Sequence, residues 1–214
     1  MELLVVTLAH SMPGRDADGL ARIRLISDTV RNAQGLVIVR IYRSRGRDAY
    51  YFILTTWEDE ECWQKAQERY NPKHLLLASA SELLTASPEQ WSMHYLWGYS
   101  RPSATPTLAA AHLATIRPEQ AERTQRAWIE SLRRQVVQPV LAFAFLARGT
   151  NENTFLPSST TGDSFYQHDS VFLNLLSWSS ETEQQAFYED STYQAINRYL
   201  GSVGVMQILP LDPM

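Results

Sequence analysis

The sequence predicts an α+β protein built from two β-α-β-β-α-β repeats. Three observations carry this. Stretches with strand and helix periodicity follow one another in the same order twice within 214 residues. The segment Thr56-Trp57-Glu58-Asp59-Glu60-Glu61 has a counterpart in Ser177-Trp178-Ser179-Ser180-Glu181-Thr182, at an offset of 121 residues. Between the two, Pro102-Ser103-Ala104-Thr105-Pro106 has the composition of a linker. The expected division is therefore 1–101, a linker at 102–106, and 107–214.

Each element has its own signal. Glu2 to Ala9 is an apolar, partly β-branched run and reads as a strand. Met12-Pro13-Gly14 breaks it. Leu20, Ile23, Ile26 and Val30 then recur at helical spacing, so Asp16 to Val30 reads as a helix, with Gly35 as a candidate C-terminal cap. Leu36 to Arg43 and Ala49 to Trp57 form a hairpin around Ser44-Arg45-Gly46-Arg47-Asp48. Glu58 to Glu61 opens a helix with acids where the dipole favours them. Asn71-Pro72 restarts a helical stretch through Leu84, and Trp91 to Arg101 is the fourth strand.

The second pass begins with a strand at Thr107 to Arg117. A helix follows from Pro118, with Ala121, Gln125, Trp128, Ile129 and Leu132 on one face. Pro139 to Arg148 and Ser170 to Trp178 form its hairpin. Ser180 with Glu183 matches a capping box for one helix running to Leu200, with Gly201 as its cap, and Gly204 to Leu209 is the last strand. This is the ferredoxin-like order, twice. Strands apolar on both faces need helices on one side and a partner sheet on the other, so the two sheets are expected to pack face to face as a single-chain α+β barrel.

Composition narrows the function classes. Hydrophobic residues make up 44% and charged residues 20%, and a chain of this length buries enough surface to fold without disulfides or metal. The single cysteine, Cys62, excludes a disulfide framework and a multi-cysteine zinc site. A net charge of −4 with no basic tract argues against nucleic acid as a partner. No apolar run reaches membrane-helix length, and the N-terminus does not read as a signal peptide, so no membrane association and a cytoplasmic location are expected. The five histidines, His10, His74, His94, His112 and His168, show no ligand spacing, so no bound metal is expected. GxGxxG, P-loop and GxSxG motifs are absent.

A unit of about 100 residues with Trp ending the third strand and an acidic helix start resembles the antibiotic biosynthesis monooxygenase family of α+β barrels. The resemblance covers nearly the whole chain, once per half, and implies that one chain builds the barrel that single-unit members build as dimers. It implies a cofactor-independent monooxygenase acting on a small aromatic or polyketide-like substrate. Such enzymes hold the substrate with an Asn four residues before the Trp, a Tyr six after it and an Arg twenty after it. The second half supplies Asn174, Trp178 and Arg198 at those positions and departs with Gln184 at the Tyr position. The first half keeps only Trp57, with Ile53 and Leu77 at the Asn and Arg positions. The catalytic candidates are therefore Asn174, Trp178 and Arg198. A related haem-degrading branch makes haem the alternative cofactor, with Trp63 and His74 in the corresponding region.

The residues also speak without the resemblance. Asn174, Trp178 and Phe172 lie two or four apart on one strand and share a face. An amide and an indole there can orient a phenol-like ring, and an arginine can stabilise its anion. Phe172, Trp57 and His94 are the substrate-contacting candidates, and His94 or His112 could serve as a base from a strand. The bland alternative makes Trp57 and Trp178 core aromatics capping the sheet. Acids around Cys62 raise its pKa and disfavour a nucleophile. The arginines 40, 43, 45 and 47 read as a solvated hairpin. The polar insertion from Gly149 to Asp169 has the length of a lid. A non-catalytic small-molecule barrel is the third reading, and self-association into a homodimer stays open.

Overall fold

The computed structural model describes residues 1–46, 49–138, 140–151 and 169–214. The first pass comprises β1 (Leu3–His10), α1 (Asp16–Val30), β2 (Leu36–Ser44), β3 (Tyr50–Trp57), α2 (Glu60–Tyr70), α3 (Pro72–Ala80), a 3-10 turn at Ser81–Leu83 and β4 (Glu89–Ser100). The second comprises β5 (Leu108–Ile116), α4 (Pro118–Gln135), β6 (Phe143–Asn151), β7 (Ser170–Trp178), α5 (Glu181–Glu189), α6 (Ser191–Val203) and β8 (Gly204–Pro213). The strands hydrogen-bond in the closed order β1-β3-β2-β8-β5-β7-β6-β4, an antiparallel α+β barrel order.

Two compact units make up the chain: Met1–Tyr95 with Pro210–Met214, and Leu96–Leu209. They part within β4 and β8 rather than at the Pro-rich stretch. Glu89–Met93 of β4 pair with Leu4–Leu8 of β1, and Leu211–Pro213 of β8 pair with Tyr42–Ser44 of β2.

In the first unit β3 lies between β1 and β2, in antiparallel register Leu3↔Trp57 and Tyr42↔Phe52. Alternate residues Leu3, Val5, Tyr51, Ile53 and Trp57 join Ile23, Ile26 and Val30 of α1, Trp63 of α2 and Leu76 of α3 in one buried cluster. Each buried aliphatic side chain contributes about 1.5–3 kcal/mol of hydrophobic stabilisation. The helices start where the sequence offers caps: Asp59 accepts from the Cys62 amide, and Asn71 accepts from that of Lys73. Gly35, at φ +79°, sits under the start of α2, and its carbonyl accepts from the Glu58 amide.

In the second unit β7 lies between β5 and β6, in register Leu108↔Trp178 and Phe143↔Ser177. The face carrying Ala110, Ala114, Phe172, Leu176 and Trp178 packs with Trp128 and Leu132 of α4, Phe187 of α5, and Tyr193, Ile196 and Leu200 of α6.

Several boundaries differ from the sequence expectation. The single helix from Ser180 to Leu200 is two helices. Asp190 stands between them in extended conformation, its carboxylate accepting from the amides of Thr192 and Tyr193, which starts a second helix at the cost of ending the first. Gly201 lies inside α6 and is not its cap. The stretch to Leu84 ends as α3 followed by the 3-10 turn. On α4 the buried face is Ala121, Thr124, Trp128, Ser131, Leu132 and Gln135, while Gln125 and Ile129 are half-buried. Strand β8 continues to Pro213. The lid expected of 149–169 rests mainly on 152–168, outside the described residues.

Candidate functional site

The helix-facing layers of the two units carry different polar groups. In the first unit Thr7 of β1 stands opposite Ile53 of β3. At the matching place in the second unit His112 of β5 stands opposite Asn174 of β7. Directly opposed residues of an antiparallel pair share a face, so both side chains enter the layer under the helices. Each is 1% exposed. Burying such groups is unfavourable unless they are hydrogen-bonded.

The partners come from the helices. Nε2 of His112 lies 3.1 Å from the hydroxyl of Tyr188 on α5. The His112 ring lies 5.9 Å from that of Tyr188 and 5.7 Å from that of Tyr193 on α6. Alanines at 110 and 114, two residues either side of His112 on the same face, keep the strand surface low beside these rings. The Asp190 break puts the two tyrosines on separate helices, with centroids 5.0 Å apart and planes at 78°. Asn174, its amide oriented by its neighbours, donates to the Phe145 carbonyl at 3.0 Å and accepts from the Trp128 indole at 3.3 Å.

Trp178 packs against Phe187 and Tyr188, at centroid distances of 5.4 and 5.5 Å. It is fully buried, and among the described residues its indole N–H has no partner. The same position in the first unit is satisfied: Nε1 of Trp57 donates to Oγ1 of Thr55, two residues back on the same face, at 3.0 Å. Two residues before Trp178 stands Leu176, which has no acceptor.

The polar groups of the layer are uncharged near neutrality. Burial pushes the His112 imidazole down to about 3. Burial, with the neighbouring Tyr193, pushes the Tyr188 phenol up, and burial pushes Tyr193 up to about 12. The site therefore offers hydrogen-bonding groups and aromatic faces rather than charge.

The structure brings Asn174, Trp178 and Phe172 onto one buried face, as their spacing implies. Phe172 lies 6.0 Å from the Trp128 ring and beneath the Arg148 guanidinium. Arg198 does not join them. It is exposed on α6, with its Nε donating to the Gln194 carbonyl of its own helix. Trp57 belongs to the first unit's core, against Trp63 at 5.2 Å. His94 on β4 and His74 on α3 are exposed. Gln184 is half-buried on α5, its backbone amide bonded to the Ser180 carbonyl. Among the described residues no three His, Cys, Asp or Glu side chains gather as a metal site. No helix of these residues is long and apolar enough to cross a membrane.

Sequence reasoning missed Tyr188 and Tyr193. They are five residues apart, a spacing that puts them on different sides of one continuous helix. Asp190, an N-cap residue inside an otherwise helical pattern, was the available signal.

No family model matches the chain, and no curated protein matches it in sequence. Solved structures match it in fold. A structure described as an anthrone oxidase-like protein aligns with TM-score 0.71 and 12% identity, covering 100% of this chain and 91% of that one. A candidate monooxygenase from Fusobacterium nucleatum aligns with TM-score 0.69 and 8% identity, covering 99% and 92%. A ferredoxin-fold protein from Listeria monocytogenes, described as related to antibiotic biosynthesis monooxygenases, aligns with TM-score 0.52 and 10% identity, covering 100% and 96%. By these likenesses and its own strand order, the chain has the ferredoxin-like α+β barrel fold of antibiotic biosynthesis monooxygenase-like proteins.

Proposed function

We propose that the chain is a cofactor-independent monooxygenase acting on a small aromatic, polyketide-like molecule, with its site in the sheet–helix layer of the second unit. The observation that carries this is the buried indole N–H of Trp178, which has no partner among the described residues and lies beside Asn174, Phe172, Phe187 and Tyr188. A buried unsatisfied donor costs about 1–3 kcal/mol, and a ligand oxygen removes that cost. Aromatic walls suit a flat polycyclic ring. In the reaction proposed, a methylene flanked by aryl rings and activated by a carbonyl loses a proton to give an enolate. The enolate gives electrons to O2, and the carbon becomes a carbonyl with release of water. The N–H of Trp178 and the remaining N–H of Asn174 would stabilise the enolate oxygen as charge develops. Arg198, exposed and bonded to its own helix, is left out of this assignment.

A non-catalytic binder is the second reading, favoured by the engagement of both ends of the Asn174 amide with Trp128 and Phe145. Oxygen uptake with an anthrone, in buffer free of added metal and flavin, separates the two. The monooxygenase reading expects one O2 consumed per anthrone, quinone as product, and a loss of about tenfold or more in rate in Trp178→Phe, by analogy with removal of one oxyanion donor. Quenching of tryptophan fluorescence by the ligand without oxygen uptake would establish the binder instead. The haem reading lacks comparable support, because His74 is exposed on α3.

A further inference from the structure

We propose that Tyr188 and His112 form a proton relay serving this site, in which Tyr188 takes the acidic proton of a bound phenol- or anthrone-type ring and passes its own to the buried imidazole. The inference rests on the location proposed above and adds the group that ionises the substrate.

Three features of the pair support it. The Tyr188 hydroxyl and Nε2 of His112 are in hydrogen-bond contact at 3.1 Å. Tyr188 is half-buried whereas His112 is sealed, so a proton passing from the Tyr188 hydroxyl to Nε2 crosses no solvent. The Tyr188 ring also touches Trp178, so a ligand oxygen that accepts from the free indole N–H lies beside the ring of the proposed proton acceptor. With its own proton on Nδ1, His112 presents a lone pair at Nε2, the tautomer that lets Tyr188 donate. At the matching position of the first unit stands Thr7, which accepts from Gln90.

The step balances without any oxidant. The C–H or O–H bond of the substrate breaks and its electron pair stays on the substrate as enolate or phenolate. The proton goes to the Tyr188 oxygen, and the Tyr188 proton goes to Nε2. Tyr188 ends neutral and His112 ends as imidazolium. The groups facing His112 are uncharged: Asn174 from β7, Tyr188 from α5 and Tyr193 from α6. Burial alone disfavours the imidazolium, and the substrate anion formed beside it supplies the opposite charge. The rival is a purely structural hydrogen bond that satisfies a buried ring.

A hydroxyanthraquinone, whose visible colour reports its ionisation, tests the relay without turnover. The dye is titrated with pH in the presence of wild type, His112→Gln and Tyr188→Phe. The side-chain amide introduced by His112→Gln can still accept from Tyr188 but cannot hold a proton at neutral pH. Wild type is expected to lower the pKa of the bound dye by about one unit or more, a tenfold shift in its ionisation equilibrium. Both variants are expected to leave the pKa of the dye they bind at the free value, whatever their affinity for it. If His112→Gln does not fold, Tyr188→Phe alone decides. Variants that ionise the dye as wild type does, or wild type that binds it neutral, overturn the relay while the oxygen-uptake assay still judges the proposed function. Failure of wild type to bind the dye overturns both.

Discussion

His112 makes the acid limb of the stability curve a test of the whole second-unit layer. Its imidazole is buried and pushed down to about 3, against an ordinary value of 6.5. Below pH 6.5 the unfolded chain takes up a proton that the folded chain refuses, so stability falls with pH and the loss is complete near pH 3. Between pH 7 and pH 5 the loss from this one group is about 2 kcal/mol, the slope rising toward about 1.4 kcal/mol per pH unit at the acid end. Carboxylates titrate in the same direction but lower on the scale, and they are shared by wild type and His112→Gln. Urea unfolding followed by tryptophan fluorescence at pH 7, 6 and 5 therefore isolates the histidine. The stability difference between wild type and variant should shift by about 2 kcal/mol toward the variant on going to pH 5. A pH-independent difference would mean that His112 is solvated, and a shift toward wild type would mean that it is charge-paired; in either case the neutral layer described above would be wrong.

The remaining expectations concern packing. Thr55→Val should leave the Trp57 indole N–H without its acceptor and cost about 1–3 kcal/mol, measured by urea unfolding; the converse change, Leu176→Thr, should offer Trp178 an acceptor and weaken ligand binding. Gly35→Ala should destabilise by more than about 1 kcal/mol in the same assay, because a Cβ there would lie 2.5 Å from Sγ of Cys62 at a φ of +79°. Asp190→Ala removes an acceptor shared by two amides; it should cost about 1–2 kcal/mol and should change the fluorescence of Trp178, which Tyr188 packs against.

Much of the fold was legible because period and punctuation agreed. The helix from Asp16 to Val30 and the strand from Ser170 to Trp178 have the residue limits their patterns imply. The shared face of Asn174, Phe172 and Trp178 followed from strand alternation alone. What sequence could not supply was contact across elements. Arg198 matched a spacing, but where a helix residue points depends on the turn it occupies, and α6 buries Tyr193, Ile196 and Leu200 instead. His112 could be placed on a strand, yet its partner lies 76 residues away on a helix whose end was unmarked by glycine or proline. Trp57 and Trp178 looked equivalent, and only the neighbour two residues back, Thr55 or Leu176, separates a satisfied indole from a free one.

The Asp190 junction also limits how this part of the chain can vary in length. One residue ends α5, its amide donating to the Phe187 carbonyl, and starts α6 with its carboxylate, so Tyr188 and Tyr193 are each indexed by their count from it. Inserting or deleting a single residue on either side would rotate the tyrosine beyond it by about 100°, from the His112 ring toward solvent. Substitutions around the junction can be absorbed by a cap of similar chemistry, whereas a change in residue number there cannot. Related chains that keep the tyrosine pair are expected to hold the spacing 188–190–193 fixed even where their residue types drift.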